Sequence, residues 1–228
     1  MHGKQSYQHR ISKKQLNSFR GGSPDPVVNR RLAGIARQIL RQSTWGGFST
    51  INSSPNFSTG YPFVAPRNFA EGNSTHSTGK PYFYFIPDYP ISPDDLLITD
   101  VTADTRVSFT VTTEQTGVCR KNGHNVQSTK CYWVVYSGDF RKLDENSEEY
   151  KDGYQYLLEK YPDIKEIYKE SKLVLGTINL VDVMVIAGKK ELECIPLDAY
   201  FNTLPNEHFA SEIHYKQKVL RNHITKMQ

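Results

Sequence analysis

The chain contains side chains that commonly carry catalysis or metal binding, but their spacing does not build a familiar reactive site. No nucleophile elbow, His-Glu-x-x-His zinc helix, phosphate-binding loop or dinucleotide fingerprint occurs in the sequence. The acidic pairs Asp94-Asp95 and Glu148-Glu149 fit a turn and a helix start better than an acid–base couple. The seven histidines are scattered, at positions 2, 9, 76, 124, 208, 214 and 223. We therefore predict no catalytic residue and no metal site.

The three cysteines offer a second kind of chemistry, disulfide formation. In an oxidising compartment Cys119 and Cys131 would close a short loop, whereas in a reducing compartment they would remain two thiols. Neither a zinc pattern nor a Cys-x-x-Cys is present, so the spacing alone leaves both alternatives open. Cys194, with Leu192 and Ile195 nearby, is predicted to be a buried free thiol, and an intermolecular bridge is the alternative.

Three sequons for N-glycosylation form a further group of candidate sites, with their acceptors at Asn52, Asn56 and Asn73. All three acceptors fall in segments that we predict to be polar loops. Pro55, which follows the first sequon, makes Asn52 the poorest acceptor. The alternative is that these asparagines only form turns, which is their common role in loops.

The charge of the chain is unevenly distributed. The net charge is +4 over 228 residues, but residues 1–50 hold nine Lys and Arg against a single acid, Asp25. We predict that residues 1–24 form a disordered basic arm, and the alternative is a contact with nucleic acid or an anionic membrane. No nucleic-acid recognition motif accompanies this charge, so no nucleic-acid partner is predicted. No apolar run approaches the roughly 20 residues of a membrane span, so no transmembrane segment is predicted.

The elements that would position these residues are mostly strands. Asp25 followed by Pro26 predicts the start of a helix, and Val28, Leu32 and Ile35 begin its buried stripe. Residues Asn68 to Lys80 are predicted to be a polar loop. A second helix begins near Ser147, and a helical turn is predicted from Pro196 to Tyr200. The predicted strands are Gly47–Ile51, Tyr61–Ala65, Pro81–Ile86, Thr105–Thr113, Cys131–Leu143, Lys172–Asn179, Val181–Ala187 and Glu191–Ile195. This pattern predicts a mainly β, α+β fold, in which an antiparallel sheet curls into a small barrel flanked by helices.

Several motifs, in order and spacing, resemble those of the CREG family. The motifs are Trp45-Gly46 after the first helix, Pro81-Tyr82-Phe83-Tyr84-Phe85, Cys119 to Cys131 around Lys121-Asn122-Gly123, Ser137-Gly138, Tyr161-Pro162, and Pro196-x-x-x-Tyr200. The resemblance covers roughly residues 30 to 203. It predicts a domain at 25–203, preceded by the arm and followed by a C-terminal extension at 204–228, for which the apolar spacing allows a helix.

The resemblance implies a split β-barrel of the FMN-binding, pyridoxamine-5′-phosphate-oxidase-like type, antiparallel throughout. It also implies a Cys119–Cys131 disulfide, a homodimer, and a secreted or endolysosomal glycoprotein that acts in growth, differentiation or lysosomal function. Uptake by a receptor that recognises the glycans is part of the same implication, and a known reaction is not. Met1-His-Gly-Lys has no apolar stretch of a signal peptide, so we expect the signal of a secreted form to have been removed.

The resemblance leaves one cofactor open, FMN, and with it the alternative of an FMN-dependent oxidoreductase. Split-barrel oxidases hold the FMN phosphate with Arg and Lys from central strands and from the loop after the third one, because charge-assisted hydrogen bonds replace the lost hydration of the phosphate. The candidates for such contacts are the cations Arg67 and Arg106 and the hydrogen-bonding residues Tyr84 and Ser92. Against this, Asp94-Asp95 would repel a phosphate, so the prediction is a protein without a cofactor.

Overall fold

The elements of the fold come from a computed structural model, which describes residues 25–55, 58–87, 94–121, 123–125, 127–128, 131–167, 173–187 and 191–206. The helices are α1 (Pro26–Gln42), α2 (Asp94–Ala103), α3 (Val118–Lys121), α4 (Glu148–Lys160), α5 (Ile164–Ile167) and α6 (Leu197–Phe201). The strands are β1 (Trp45–Ile51), β2 (Pro62–Gly72), β3 (Ser77–Phe85), β4 (Arg106–Thr112), β5 (Trp133–Lys142), β6 (Val174–Ala187) and β7 (Glu191–Ile195). No helix among these residues is long and apolar enough to cross a membrane.

Six of the strands form a closed antiparallel barrel. The sheet runs β3-β2-β1-β4-β5-β6-β7, and β3 also pairs with β6, which closes the ring. The first half of β6 pairs with β3 and its second half pairs with β7, so the sheet divides along this strand. The predicted split barrel with flanking helices is therefore the observed fold.

A cluster of phenylalanine rings lies in the barrel interior. Phe48, Phe83 and Phe109 are fully buried, and their rings meet edge to face with centroids 4.9–5.0 Å apart. This geometry is the one that aromatic pairs prefer. The alternating pattern of the strand sequences therefore decides which side chains fill the barrel and which face outward.

Helix α1 begins as predicted, because the Asp25 carboxylate accepts a hydrogen bond from the Val27 amide at 2.8 Å and Pro26 occupies the first turn. The prediction for its faces was partly wrong. Val28, predicted in the buried stripe, is exposed, and Arg37, which lies outside that stripe, is only 2% exposed. Arg37 is buried because α1 lies between the barrel and α6, and it donates to Ser77 at 2.8 Å and to the Tyr200 carbonyl at 3.4 Å.

The predicted polar loop at 68–80 is wrong, since most of it forms the β2–β3 hairpin. The polar side chains of the hairpin are bonded to one another. Buried Glu71 accepts hydrogen bonds from the Ser77 hydroxyl at 2.8 Å and the Gly79 amide at 3.1 Å, and Arg41 of α1 lies 3.7 Å from its other oxygen. The turn predicted at Asp94-Asp95 is instead the start of α2.

The two strands predicted at 172–179 and 181–187 are one strand, β6, interrupted by a bulge. Ser137 pairs with Asp182 and Gly138 pairs with Leu180, so Val181 is the extra residue. The helix predicted near Ser147 is confirmed, because the Ser147 hydroxyl accepts from the Tyr150 amide at the start of α4. The helical turn near Pro196 is confirmed as α6.

Candidate functional site

Two clefts lie on the outward face of β1, β4 and β5, which we call the outer sheet face. Every second residue of these strands points outward, and within the described chain none of these outward side chains is fully buried. They are Trp45, Gly47, Ser49, Ile51, Arg106, Ser108, Thr110, Thr112, Trp133, Val135, Ser137 and Asp139. The set is dominated by small and apolar residues, which suits contact with a ligand or another protein surface.

The bulge in β6 adds an exposed apolar side chain beside this face. Val181 is 59% exposed, and it lines the same cleft as Ser137 and Asp139 of β5. Gly138 is required opposite the bulge, because a Cβ there would lie 2.1 Å from the carbonyl oxygen of Asn179. Bulges commonly re-aim a side chain in this way.

The first of two clefts on this face, the Arg106 cleft, has a volume of about 490 Å³ and lies where β1 ends and β4 begins. The Ser108 and Ser137 hydroxyl oxygens lie 3.2 Å apart on its floor. Arg106 is paired with Asp104, and hydrogen bonds from Arg106 lower the pKa of Asp104 to about 2. The cation of this cleft is therefore already neutralised.

The second cleft, the Trp45 cleft, has a volume of about 760 Å³ and lies at the other end of β1. Its lining comes from Trp45, Gly47, Thr110, Thr112, Glu114, Gln115, Gly117, Arg120 and Lys121. The segment that forms its rim is held by the Cys119–Cys131 disulfide, which the structure contains. Thr113 connects the rim to the barrel, because its hydroxyl accepts from the Tyr132 amide at 3.0 Å.

The residues predicted as FMN ligands are not brought together. Arg67 pairs with Gly46 on the inward side of β2 and its guanidinium lies 5.4 Å from the Phe85 ring centroid. Arg106 points outward and, by the same register, lies level with Ile51, about 17 Å further along β1. The described members of the set therefore do not share one phosphate-sized volume.

The other two predicted FMN ligands do not complete such a site either. Tyr84 lies on the outward side of β3, where its hydroxyl accepts from Asn68 at 3.3 Å and its ring centroid is 6.5 Å from that of Tyr161. Ser92 lies outside the described residues.

The candidate glycosylation sites are in connections between strands. Asn73 forms the turn between β2 and β3, where its side-chain oxygen accepts from the Thr75 amide, the Thr75 hydroxyl and the His76 amide. Asn52 lies between β1 and β2 and its side-chain oxygen accepts from the Ser54 amide at 3.0 Å. Asn56 lies outside the described residues. Cys194 is a half-buried free thiol on β7, and burial raises its pKa.

One charged group was missed by the sequence reasoning, at the junction of α1, the β2–β3 hairpin and α4. Lys160 donates to the Ser43 carbonyl at 2.6 Å and lies 4.6 Å from the Phe69 ring centroid. Burial lowers the pKa of Lys160 to about 8, against the opposing effect of Glu71, and burial raises the pKa of Glu71. No sequence signal marks this cluster, because its members come from three separate elements. Among the described residues no group of three or more His, Cys, Asp or Glu is placed to hold a metal ion.

Comparison with known proteins gives a consistent result. A family model described as CREG, beta-barrel matches residues 28–202. Protein CREG1 of Homo sapiens is 25% identical over 170 residues, which is 75% of this chain and 73% of that protein. Protein CREG1 of Gallus gallus is 24% identical over 188 residues, 82% of this chain and 92% of that protein.

Solved structures share the fold at low sequence identity. A heme binding protein from Mycobacterium smegmatis superposes with a TM-score of 0.57 at 13% identity, over 80% of this chain and 62% of that chain. A protein of unknown function from Agrobacterium tumefaciens gives a TM-score of 0.52 at 16% identity, over 74% of this chain and 60% of that chain. At these identities the likeness concerns the fold alone.

Proposed function

The chain belongs to the CREG family, and from that premise we propose that it is a non-enzymatic, secreted or lysosomal glycoprotein that acts as a homodimer. Under this proposal the protein acts in growth and differentiation or in lysosomal function. A receptor that recognises the glycans would take the protein up. The homodimer would form through the end of the outer sheet face where Val181 lies, around the Arg106 cleft.

The observation that carries the proposal is the exposed apolar surface of this face. Val181 is 59% exposed and lines the Arg106 cleft with Ile51 and Ser49, and exposed Val64 of the neighbouring strand β2 pairs with Ser49. Contiguous exposed apolar surface is uncommon on monomeric proteins and typically marks an interaction site. A two-fold symmetric dimer would bury the same patch on both subunits.

The disulfide supports the proposed compartment. Cys119 and Cys131 are bonded, with their Cα atoms 5.7 Å apart, and such bonds persist mainly in oxidising environments such as secretory and extracellular spaces. A secretory route is also where the Asn73 sequon would be read. Expression in a cell with a secretory pathway, followed by fractionation of medium and lysosomes, tests this part. Accumulation in the cytosol with reduced cysteines would contradict it.

The dimer is tested by the mass of the particle in solution. Light scattering should give twice the 26.1 kDa chain mass. Val181→Asp should give the single-chain mass, because it places a charge in the centre of an apolar contact. Val27→Asp is the matched control, since Val27 is equally exposed, at 64%, but lies in the first turn of α1. A monomeric parent protein, or a dimer that survives Val181→Asp, would contradict the proposed interface.

An FMN-dependent oxidoreductase is the second candidate, and one observation favours it. The Arg106 cleft has a volume in the range typical of ligand sites and places serine hydroxyls beside a cation. The ion pair between Arg106 and Asp104 argues against FMN binding, because Asp104 already offsets the charge of Arg106. Titration of the purified protein with FMN, followed by flavin fluorescence quenching, tests it, and heme is the second probe because the Mycobacterium smegmatis protein is named for heme binding. Saturable, tight FMN binding that Arg106→Ala abolishes would replace the non-enzymatic proposal.

A further inference from the structure

We propose that the Trp45 cleft binds an acidic sugar, with the ring of a pyranose against the indole of Trp45 and a carboxylate or sulfate group near Lys121. The inference does not depend on the homodimer, because the proposed dimer contact is centred on Val181 at the opposite end of β1 and the test of the cleft has a different readout.

The floor of the cleft is a glycine that the fold itself does not require. A Cβ at neighbouring Gly46 would lie 2.4 Å from the Phe109 ring, so packing demands glycine there. A Cβ at Gly47 would meet only the Val64 side chain, at an ordinary contact distance of 3.6 Å. Glycine within a strand often marks a place where a ligand or another backbone approaches closely. Gly47 leaves bare backbone beside the indole, where the sugar ring would lie.

One wall of the cleft is the indole of Trp45, and the main chain of this residue is held in place by a hydrogen bond. The Gln115 side chain donates to the Trp45 carbonyl at 2.7 Å and accepts from the Thr112 amide at 2.9 Å, so it joins the ends of β1 and β4. Trp45 nevertheless remains 47% exposed. An anchored but exposed indole offers an apolar face with a polar edge, which suits the C–H face of a sugar ring.

The polar groups of the cleft favour a ligand rich in hydroxyls. Thr110 lines the cleft, and its hydroxyl makes no hydrogen bond with the described residues. Glu114 accepts from Arg120 through Oε1, at 2.9 and 3.0 Å, while its Oε2 is buried and receives no hydrogen bond from the described residues. A buried acceptor without a donor is costly, so a small movement of Glu114 that brought Oε2 to a ligand hydroxyl in the cleft would relieve that cost.

The charges of the cleft favour one negative group on the ligand. Arg120 and Glu114 form an ion pair, so their charges offset each other. Lys121 lines the cleft without an ion pair among the described residues, which leaves one uncompensated positive charge. An apolar ring face, several hydroxyls and a single anionic group together describe a uronic acid or a monosulfated sugar.

The test uses the full chain carrying Trp133→Phe, which leaves Trp45 as the single tryptophan because the chain has two. A glucuronate-containing tetrasaccharide is titrated while tryptophan fluorescence and binding heat are recorded, with a neutral glucose tetrasaccharide as the ligand control. We expect saturable fluorescence change with the acidic sugar and at least tenfold weaker binding of the neutral one.

Variants locate the site. Lys121→Ala should weaken binding at least tenfold and Gly47→Val should abolish it, each without a change in the melting temperature. Lys151→Ala, which removes an exposed lysine on α4, should leave binding unchanged. If Gly47→Val lowers the melting temperature, Gly47→Ala replaces it and should weaken binding.

Three results would overturn the proposal. The first is no saturable binding of the acidic tetrasaccharide up to about 10 mM. The second is binding that Lys121→Ala and the Gly47 variant leave intact. The third is binding that is lost only when residues 1–24 are removed. The last result would assign the interaction to the basic arm.

Discussion

At the scale of single residues, Lys160 is a partly buried lysine that contacts an aromatic ring and a backbone carbonyl. Its ammonium group lies over the Phe69 ring and donates to the Ser43 carbonyl, which connects α4 to the end of α1. Burial lowers its pKa to about 8 from the ordinary 10.5. Between these two values the unfolded chain binds the proton more readily than the folded chain. The stability that this group contributes therefore rises with pH over that window.

Replacement of Lys160 makes the effect measurable. We compare the free energy of unfolding of the parent protein with that of Lys160→Met. From pH 7.5 to pH 10 the difference should shift by about 2 kcal/mol in favour of the parent protein. Denaturant unfolding at several pH values measures this difference. Lys165→Met, which alters an exposed lysine of α5, is the control. Its difference in unfolding free energy from the parent protein should not change with pH. A flat difference for Lys160→Met as well would mean that the ammonium group is solvated in the folded protein.

At the scale of elements, the bulge in β6 depends on the absence of a side chain at position 138. Gly138→Ala would place a Cβ 2.1 Å from the Asn179 carbonyl oxygen, and backbone atoms cannot move aside cheaply. We expect a loss of stability of about 3 kcal/mol together with weaker dimerisation, because the bulge aims Val181 outward. Gly47→Ala is the matched control, and its melting temperature should match that of the parent protein. Normal stability of Gly138→Ala would show that the bulge can shift.

The disulfide is the second element-scale feature with a measurable effect. It closes a loop between residues 12 apart in sequence, and on the chain-entropy model its removal costs about 3 kcal/mol. The double variant Cys119→Ser, Cys131→Ser should show this loss in denaturant unfolding, and a reducing agent should produce the same loss in the parent protein. Cys194→Ser is the control, and its free energy of unfolding should be close to that of the parent protein. Equal stability of the parent protein, the double variant and Cys194→Ser would contradict the prediction.

The elements that local sequence could predict are those whose stability is local. Asp25-Pro26 caps α1, Ser147 caps α4, and the alternation in β4 separates inward from outward residues. The β2–β3 hairpin escaped prediction because Glu71 and Ser77 are polar residues in strands. Their partners Arg41 and Arg37 come from a helix that lies 30 and 40 residues earlier in the chain. The burial of Arg37 could not be predicted for the same reason, because its hydrogen-bond partners come from distant segments of the chain.

At the scale of the whole molecule, family motifs predicted the closed barrel, but they did not predict its clefts. Residues 45–47 carry the Trp-Gly motif, yet the cleft beside them also needs residues 110–121 from a different strand and from the disulfide-bonded segment. Which residues share a cleft depends on strand register, and register follows from the assembled sheet rather than from any single segment. For the same reason Arg67 and Arg106 seemed equivalent in sequence but lie on opposite sides of the sheet.

The two described sequons differ in where a glycan would stand on the molecule. Asn52 follows Ile51, which lines the Arg106 cleft beside the proposed interface, and the hydroxyl residue of its sequon, Ser54, is only 7% exposed. Asn73 is at the β2–β3 turn next to α4, and its sequon residue Thr75 is exposed. A glycan at Asn52 would therefore crowd the interface, whereas a glycan at Asn73 would point away from it.

We therefore expect protein from a secretory host to carry a glycan at Asn73 and none at Asn52. Peptide mapping by mass spectrometry, with and without enzymatic glycan removal, measures occupancy at each site. Asn73→Gln should lose that glycan and remain a dimer by light scattering, because the β2–β3 turn lies away from the outer sheet face. Asn52→Gln is the control and should change neither the glycan mass nor the dimer. A dimer that carries a glycan at Asn52 on both chains would place the interface elsewhere on the barrel, since the outer sheet face would then be obstructed at the end where Val181 lies.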